Sequence, residues 1–477
     1  MKGEINMLRL FNNFYGRWYF PLLLQIITLL AFIFLIVIGL GADTKGTAFT
    51  QQLRNTNLAN LLVWSVWWPL IIITAVVLGR MWCMICPMEL VTSLASKIGL
   101  KRKPPKWLRS GWVITLAFIV ILFVGMQMLS IHRVPVRMAI YLLMLFGVGI
   151  IVGLLFARNA FCASVCPVGH LLGLYARISP LSWGVRDAAV CKNCSDRSCV
   201  ASRTAYNFQG RSCGVSLMPA KIQNNDECLL CGQCRKACAN YNPGLETRPN
   251  PELKTRPWLD DLLHLRPLSS AQIAFCLVIS GFVIYEVLTE WQASKQILFY
   301  VPYQLGQWLN LQSDWSQSLL KSISLFVILP LVIWLGPYGM LRTLGREDGI
   351  SLRSYLGYCA LILLPIMAAM HILKSLIKMA TRIPYWNTAI QDPFGLSTAQ
   401  AILDRSLQLP ALPFWYDVLL SLISFALIFG SFAASIFITR KVIASYPSIN
   451  RFQSVALYFL PILYCSIYVV MLIGWRF

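Results

Sequence analysis

Uninterrupted apolar blocks constrain this chain more than any other feature of its sequence. Blocks of about 18 or more apolar residues are long enough to span a bilayer as helices. Nine qualify, at about residues 19–40, 59–80, 111–131, 137–157, 270–290, 318–342, 353–375, 415–438 and 454–475. The first is long, and none of it reads as a cleavable signal, which would be shorter and end at a small-residue site. Only 13% of the residues are charged, about half the share that keeps a soluble domain in solution. One long polar stretch interrupts the pattern, between the fourth and fifth blocks.

The net charge of +22 invites a nucleic-acid reading, but its distribution argues for a membrane. With nine spans the loops alternate sides, and 30 of the 41 Lys and Arg fall on the side that holds the N-terminus and the long polar stretch. The positive-inside rule makes that side cytoplasmic. The densest run is Lys97, Lys101, Arg102, Lys103, Lys106 and Arg109, placed to meet anionic headgroups. No nucleic-acid-binding motif accompanies the charge, so nucleic acid is not expected as a partner.

Twelve of the fifteen cysteines fall in short-spaced groups. Cys276, Cys359 and Cys465 stand singly inside spans and read as small apolar packing residues. In the polar stretch Cys228, Cys231, Cys234 and Cys238 form C-x2-C-x2-C-x3-C, the bacterial ferredoxin run. In that run the fourth cysteine ligates the other of two clusters. Upstream, Cys191, Cys194, Cys199 and Cys213 form a stretched version of the same run. Crossing over assigns Cys191, Cys194, Cys199 and Cys238 to one [4Fe–4S] cluster. The other takes Cys213, Cys228, Cys231 and Cys234. Gly232 lies inside the second run, where a backbone can approach closely. Ala239 stands where a proline usually follows the last cysteine. Structural zinc is the alternative reading of such pairs; disulfides do not suit the cytoplasmic side.

The other four cysteines sit at the ends of spans. Arg80-Met-Trp-Cys-Met-Ile-Cys-Pro87 follows the second block and Ala160-Phe-Cys-Ala-Ser-Val-Cys-Pro167 the fourth. A basic residue and an isoleucine follow at matching distances, Lys97-Ile98 and Arg177-Ile178. This is an internal repeat of span, Cys–Pro turn and interfacial helix. Proline favours the first position of a helix, which puts Cys86 and Cys166 at helix N-termini, where the dipole favours thiolate. Both motifs follow even-numbered spans and so face one side. Cys83, Cys86, Cys162 and Cys166 are read as a third redox centre, expected to be another cluster; two free thiol pairs or a redox disulfide is the alternative.

The expected fold is therefore an all-α polytopic membrane protein of about nine transmembrane helices with an inserted bacterial-ferredoxin-like 2[4Fe–4S] domain. Residues 1–182 form an N-terminal membrane domain with two Cys–Pro repeats, 183–266 the cytoplasmic ferredoxin-like domain, and 267–477 a C-terminal membrane domain of about five spans. The N-terminus is expected in the cytoplasm and the C-terminus outside it.

The motifs "WCMICPMEL", "FCASVCPVGHLLGLY" and "CLLCGQCRKAC" resemble those of the NapH/NosR/MauN-type membrane-bound polyferredoxins. The likeness covers about residues 60–240. It implies a protein of the bacterial cytoplasmic (inner) membrane that passes electrons from the quinol pool, or from a cytoplasmic donor, toward a partner redox enzyme in a larger complex. It leaves the five spans of 267–477 unexplained. The cysteines also resemble those of FixG/CcoG accessory proteins, and an accessory reductase that matures a metal centre in another enzyme is the second reading.

In the seventh block His371, Lys374, Lys378 and Arg382 share one helical face. They read as basic side chains reaching the interface, or as a site for a quinone headgroup or a partner's acidic patch. Glu286 and Glu290 end the fifth block on the same side and could pair with that stripe. Haem is not expected: C-x-x-C-H does not occur, and of the four histidines only His371 lies clearly in a span. No Walker loop, Rossmann fingerprint or catalytic triad is visible, so no catalytic residue is assigned. The chain reads as an electron-transfer subunit of an oxidoreductase complex, able to oxidise quinol, rather than as an enzyme alone.

Overall fold

Apolar sequence with no water to satisfy its backbone must close every hydrogen bond within the segment, which in lipid means helices. The computed structural model describes residues 2–42, 46–222, 224–247, 259, 262, 268–343, 350–446 and 449–476. Among these, eight helices are long and apolar enough to cross a membrane: Leu22–Leu40, Leu58–Leu78, Pro135–Leu155, Ser270–Leu288, Asp314–Gly339, Leu352–Gln391, Phe414–Ser445 and Arg451–Trp475. They are compatible with a multi-pass membrane protein. The expected third span is present as Trp112–Met128, but it has only 17 residues. Its last eight, Ile121–Met128, wind as a π-helix. At 1.5 Å per residue an α-helix of that length reaches about 26 Å, a little short of the ~30 Å hydrocarbon core. The expected boundary near residue 266 lies outside the described residues.

The chain divides into two compact units, one of Met1–Leu40, Leu70–Ile114 and Ala139–Leu265, the other of Gly41–Pro69, Thr115–Met138 and Arg266–Phe477. The first unit holds all twelve grouped cysteines. Strands Leu181–Val185 and Pro243–Thr247 pair antiparallel, with Trp183 opposite Leu245. They clamp the two ends of the cysteine-bearing segment together. Asn12, from the helix Lys2–Tyr15, fixes the second strand: its amide donates to the Leu245 carbonyl and its oxygen accepts the Leu245 N–H, both at 2.9 Å. Tyr15, Phe20, Trp183, Leu230 and Leu245 pack with Cys228 and Cys234 into one buried cluster. Gly232, at φ +70°, carries the turn between these cysteines, and a Cβ there would meet the Tyr15 ring at 2.4 Å.

The second unit is mostly helix on helix. The helices Leu352–Arg382 and Ser270–Leu288 are its most buried spans. Ser270–Leu288 packs against Leu352–Arg382 and against the π-helical turn Ser324–Ile328. That close approach requires a glycine: a Cβ at Gly281 would lie 2.5 Å from the Leu325 carbonyl oxygen and 2.8 Å from Phe326 Cα. Small residues permit such backbone contact between apolar helices. Gly281→Leu is therefore expected to destabilise the unit by about 1–3 kcal/mol or more. A lowered unfolding temperature in detergent would register it; an unchanged one would contradict this packing. Outside the spans, helices Gly46–Thr56 and Leu396–Leu403 pack through Phe49, Leu53 and Ala399.

Candidate iron–sulfur centres

The three cysteine groups arise from local chain geometry. In both Cys–Pro repeats the second cysteine is the N-cap of a short helix, Pro87–Ile98 after Cys86 and Pro167–Ala176 after Cys166. The proline at N1 fixes each helix start, and the free N–H groups of the first turn point back at sulfur. The Gly169 N–H donates to Cys166 Sγ at 3.2 Å, and the backbone of Met88 and Glu89 bonds Cys86.

The two repeats converge. The Cys162 thiol lies within electrostatic reach of Cys166, Cys86 and Cys83. In the polar stretch, Cys234 is within reach of Cys231, Cys213 and Cys228, and Cys199 of Cys238, Cys191 and Cys194. The twelve cysteines thus form three sets of four. Each set carries N–H donors aimed at sulfur. Trp183 Nε1 donates to Cys234 Sγ at 3.2 Å and the Leu217 N–H to Cys213 Sγ at 3.3 Å. Asn242 Nδ2 donates to Cys191 Sγ at 3.2 Å and the Arg197 N–H to Cys194 Sγ at 3.4 Å. Such bonds stabilise cluster-bound thiolates and tune their potential. Space is present too: a cavity of about 580 Å³ is lined by Cys194, Cys199 and Cys238. Among the described residues no three or more Cys, His, Asp or Glu side chains are gathered as a single bare ion requires.

Burial overrides the helix dipole for the free thiols. Burial pushes Cys166 up to about 11, despite the Gly169 N–H and the Arg80 charge that pull the other way. Burial, then neighbouring thiolates, likewise raise Cys86 and Cys162. The expectation of thiolate at these N-caps is therefore corrected: without metal they are thiols at neutral pH. Iron binding must displace their protons.

Charged residues that sequence reasoning left unassigned hold the repeats together. Arg80 is buried, donates from Nη1 to the Asp226 carbonyl at 2.7 Å, and bonds the Cys83 sulfur. Its charge reaches Cys162 and Cys166 in one set and Cys228 in another. Asp226 also takes Arg177 Nη2 at 2.5 Å. The residues just before the ferredoxin run are thereby tied to the end of one Cys–Pro helix and to the residue that opens the other motif. Glu89 is 1% exposed. It accepts from Gln25 Nε2 at 2.7 Å, from Asn159 Nδ2 at 2.6 Å and from the Arg211 guanidinium.

These contacts follow the repeat. Arg80 and Asn159 each stand three residues before the first cysteine of their motif. Glu89 and Gly169 each stand three after the second. Asn159 bonds Glu89, and Arg80 Nη2 would stand 2.9 Å from a Cβ at Gly169. The position before one motif meets the position after the other, in both directions. Aligning the two motifs would have exposed this signal.

Residues 60–106 and 138–186 match the family described as a 4Fe-4S binding domain. This is an iron–sulfur protein. The matched stretches contain Cys83, Cys86, Cys162 and Cys166, the residues of the two Cys–Pro motifs. No curated protein and no solved structure matches the chain.

In the second unit, Lys374 pairs with Glu290, and Lys378 Nζ donates to Glu286 Oε2 at 2.6 Å. His371, on the same helix, packs instead between the Trp68 and Phe282 rings, with centroids 5.6 and 6.0 Å away. Arg382 Nη1 donates to Ser65 Oγ at 3.3 Å.

Proposed function

We propose that the chain is a membrane-bound iron–sulfur electron-transfer subunit whose twelve grouped cysteines hold three [4Fe–4S] clusters. One observation carries the reading: three sets of four thiols, each with N–H donors aimed at sulfur, occur in one compact unit. Cys191, Cys194, Cys199 and Cys238 would hold the first cluster, Cys213, Cys228, Cys231 and Cys234 the second, and Cys83, Cys86, Cys162 and Cys166 the third. Bound clusters supply one-electron redox chemistry, while the protein supplies ligation, burial and spacing. The first set is the most open to solvent and suits exchange with a soluble donor. The third stands beside the spans and suits exchange with a membrane partner.

The same grouping bears on topology. Cys83 and Cys86 must share a membrane side with Cys162 and Cys166, so an even number of crossings separates the motifs. Pro135–Leu155 supplies one, and Trp112–Met128 would supply the other. Nine crossings follow, with the N-terminus and the ferredoxin-like region on the Lys- and Arg-rich, cytoplasmic side. The bacterial inner membrane, a quinol or cytoplasmic donor, and a NapH/NosR/MauN-type role with a partner enzyme are proposed on the resemblance of the motifs. A quinone headgroup at His371, Lys374 and Lys378 has less support, because both lysines are ion-paired and the imidazole is packed between aromatic rings.

Anaerobically purified protein is expected to carry about twelve irons per chain, as three cubane clusters demand. About eight would remove the cluster at the Cys–Pro motifs; zinc in place of iron would leave a structural scaffold. Adding a quinol should reduce EPR-active centres. Inert clusters alongside reduction of copper or of a partner's thiols would instead favour the FixG/CcoG-like accessory role.

A further inference from the structure

The second unit contains a polar cavity of about 540 Å³, within the range of small-molecule sites. Its wall carries seven cations: Arg54, Arg133, Lys295, Lys321, Lys374, Lys378 and Arg382. Two carboxylates, Glu286 and Glu290, also line it, and both are spent on Lys378 and Lys374. The other five cations form no ion pair among the described residues, although the Glu290 charge also reaches Arg54 and Arg382. They crowd one another: Arg54 faces Arg133 and Arg382, and Lys321 faces Arg133 and Lys295.

This crowding runs against the topology. With nine crossings, eleven Lys and Arg lie on the side away from the cysteines. Seven of those eleven line this one cavity. Cations are disfavoured on the translocated side, and like charges gathered in a partly buried site repel unless something neutralises them.

Buried N–H groups in the wall want an acceptor as well. Arg54 Nε, Trp64 Nε1 and His132 Nδ1 are buried in this wall and find no partner among the described residues. His132 Nε2 accepts from Arg133 Nε at 3.0 Å, so the ring's own proton sits on Nδ1. Burial, then the Lys378 charge, push His132 down to about 3, which keeps it neutral. Three orphaned N–H donors and seven cations facing two carboxylates converge on one space.

We infer that this cavity binds a small molecule bearing a multiply charged oxyanion, phosphate or carboxylate, whose oxygens satisfy these donors. Its presence is independent of the clusters in the first unit. A phosphate group could come from solution or from a lipid; the proposal is the soluble source.

Calorimetric titration of the full chain in detergent, at low ionic strength, with inorganic phosphate and with citrate tests it. At least one probe should bind saturably at one site. Arg54→Gln and Arg382→Gln should each weaken binding about tenfold or more, as expected of one charge-assisted hydrogen bond. Arg54→Lys should recover part of the loss. Arg405→Gln, a cation outside the cavity, should change nothing. An unfolding temperature in detergent close to that of the wild type reports that each variant has folded. Should Arg382→Gln not fold, the half-buried Lys321→Gln takes its place. Absence of saturable binding at millimolar probe, or equal binding by wild type and the cavity variants, overturns the proposal. So does retention of phosphatidylglycerol that phosphate fails to displace from nanodiscs, which would make the occupant a lipid.

Discussion

Glu89→Ala is expected to cost about 3–5 kcal/mol, the usual penalty for breaking a buried ion pair by removing one partner. Glu89 is almost fully buried and takes hydrogen bonds from Gln25, Asn159 and Arg211. Its removal strands the Arg211 guanidinium, itself only 12% exposed at the side chain, between Cys231 and Cys162. The loss falls on the joint between the repeats, because Gln25 and Asn159 come from one span and from the start of the other motif. Glu89→Gln should be milder. It keeps an acceptor for Arg211 or Asn159 and gives up the charge. Thermal unfolding in detergent, read with iron retention, separates the two variants. If Glu89→Ala melts with the wild type and holds its iron, the buried network does not join the repeats.

Much of this architecture was legible because membrane and cluster chemistry leave strong marks on sequence. Apolar runs of bilayer length announced the helices. The length of Trp112–Met128 was less legible, since its apolar composition extends to Leu129 and beyond while the π-helical winding ends the helix at Met128. The cysteine spacing set twelve of the fifteen apart in short groups. Pro87 and Pro167 announced two helix starts, and both are found there. What spacing could not supply was the balance at sulfur: a dipole is a local property, but burial depends on the whole fold, and burial wins. Arg80, Glu89, Arg211 and Asp226 carry no mark in the sequence for the same reason. A charge beside a span reads as solvated until tertiary contacts bury it. The strand pair around Trp183 and Leu245 is short and carries no clear alternation, so only the pairing itself reveals it. Cations scattered over five separate segments gave no hint that they line one cavity.

The crossed pairing of the ferredoxin-like cysteines makes the second large prediction. Sequence order alone would group Cys213 with Cys191, Cys194 and Cys199, and Cys238 with Cys228, Cys231 and Cys234. The electrostatic neighbours favour the other grouping, Cys199 within reach of Cys238 and Cys234 within reach of Cys213. Cys238→Ser should therefore abolish or broaden the same EPR signal as Cys191→Ser. Cys213→Ser should act on the signal lost in Cys231→Ser. Each variant should release up to about four irons, one cubane's worth, and leave the other centre's spectrum intact. If Cys238→Ser instead disturbs the centre that Cys231→Ser disturbs, each run closes its own cluster and the crossed assignment fails. Trp183 supplies an internal check, because its indole N–H bonds Cys234 alone among the twelve. Trp183→Phe should lower the potential of the Cys213-containing centre and leave that of the Cys238-containing centre in place, since losing an N–H donor to a thiolate disfavours the more negative, reduced state.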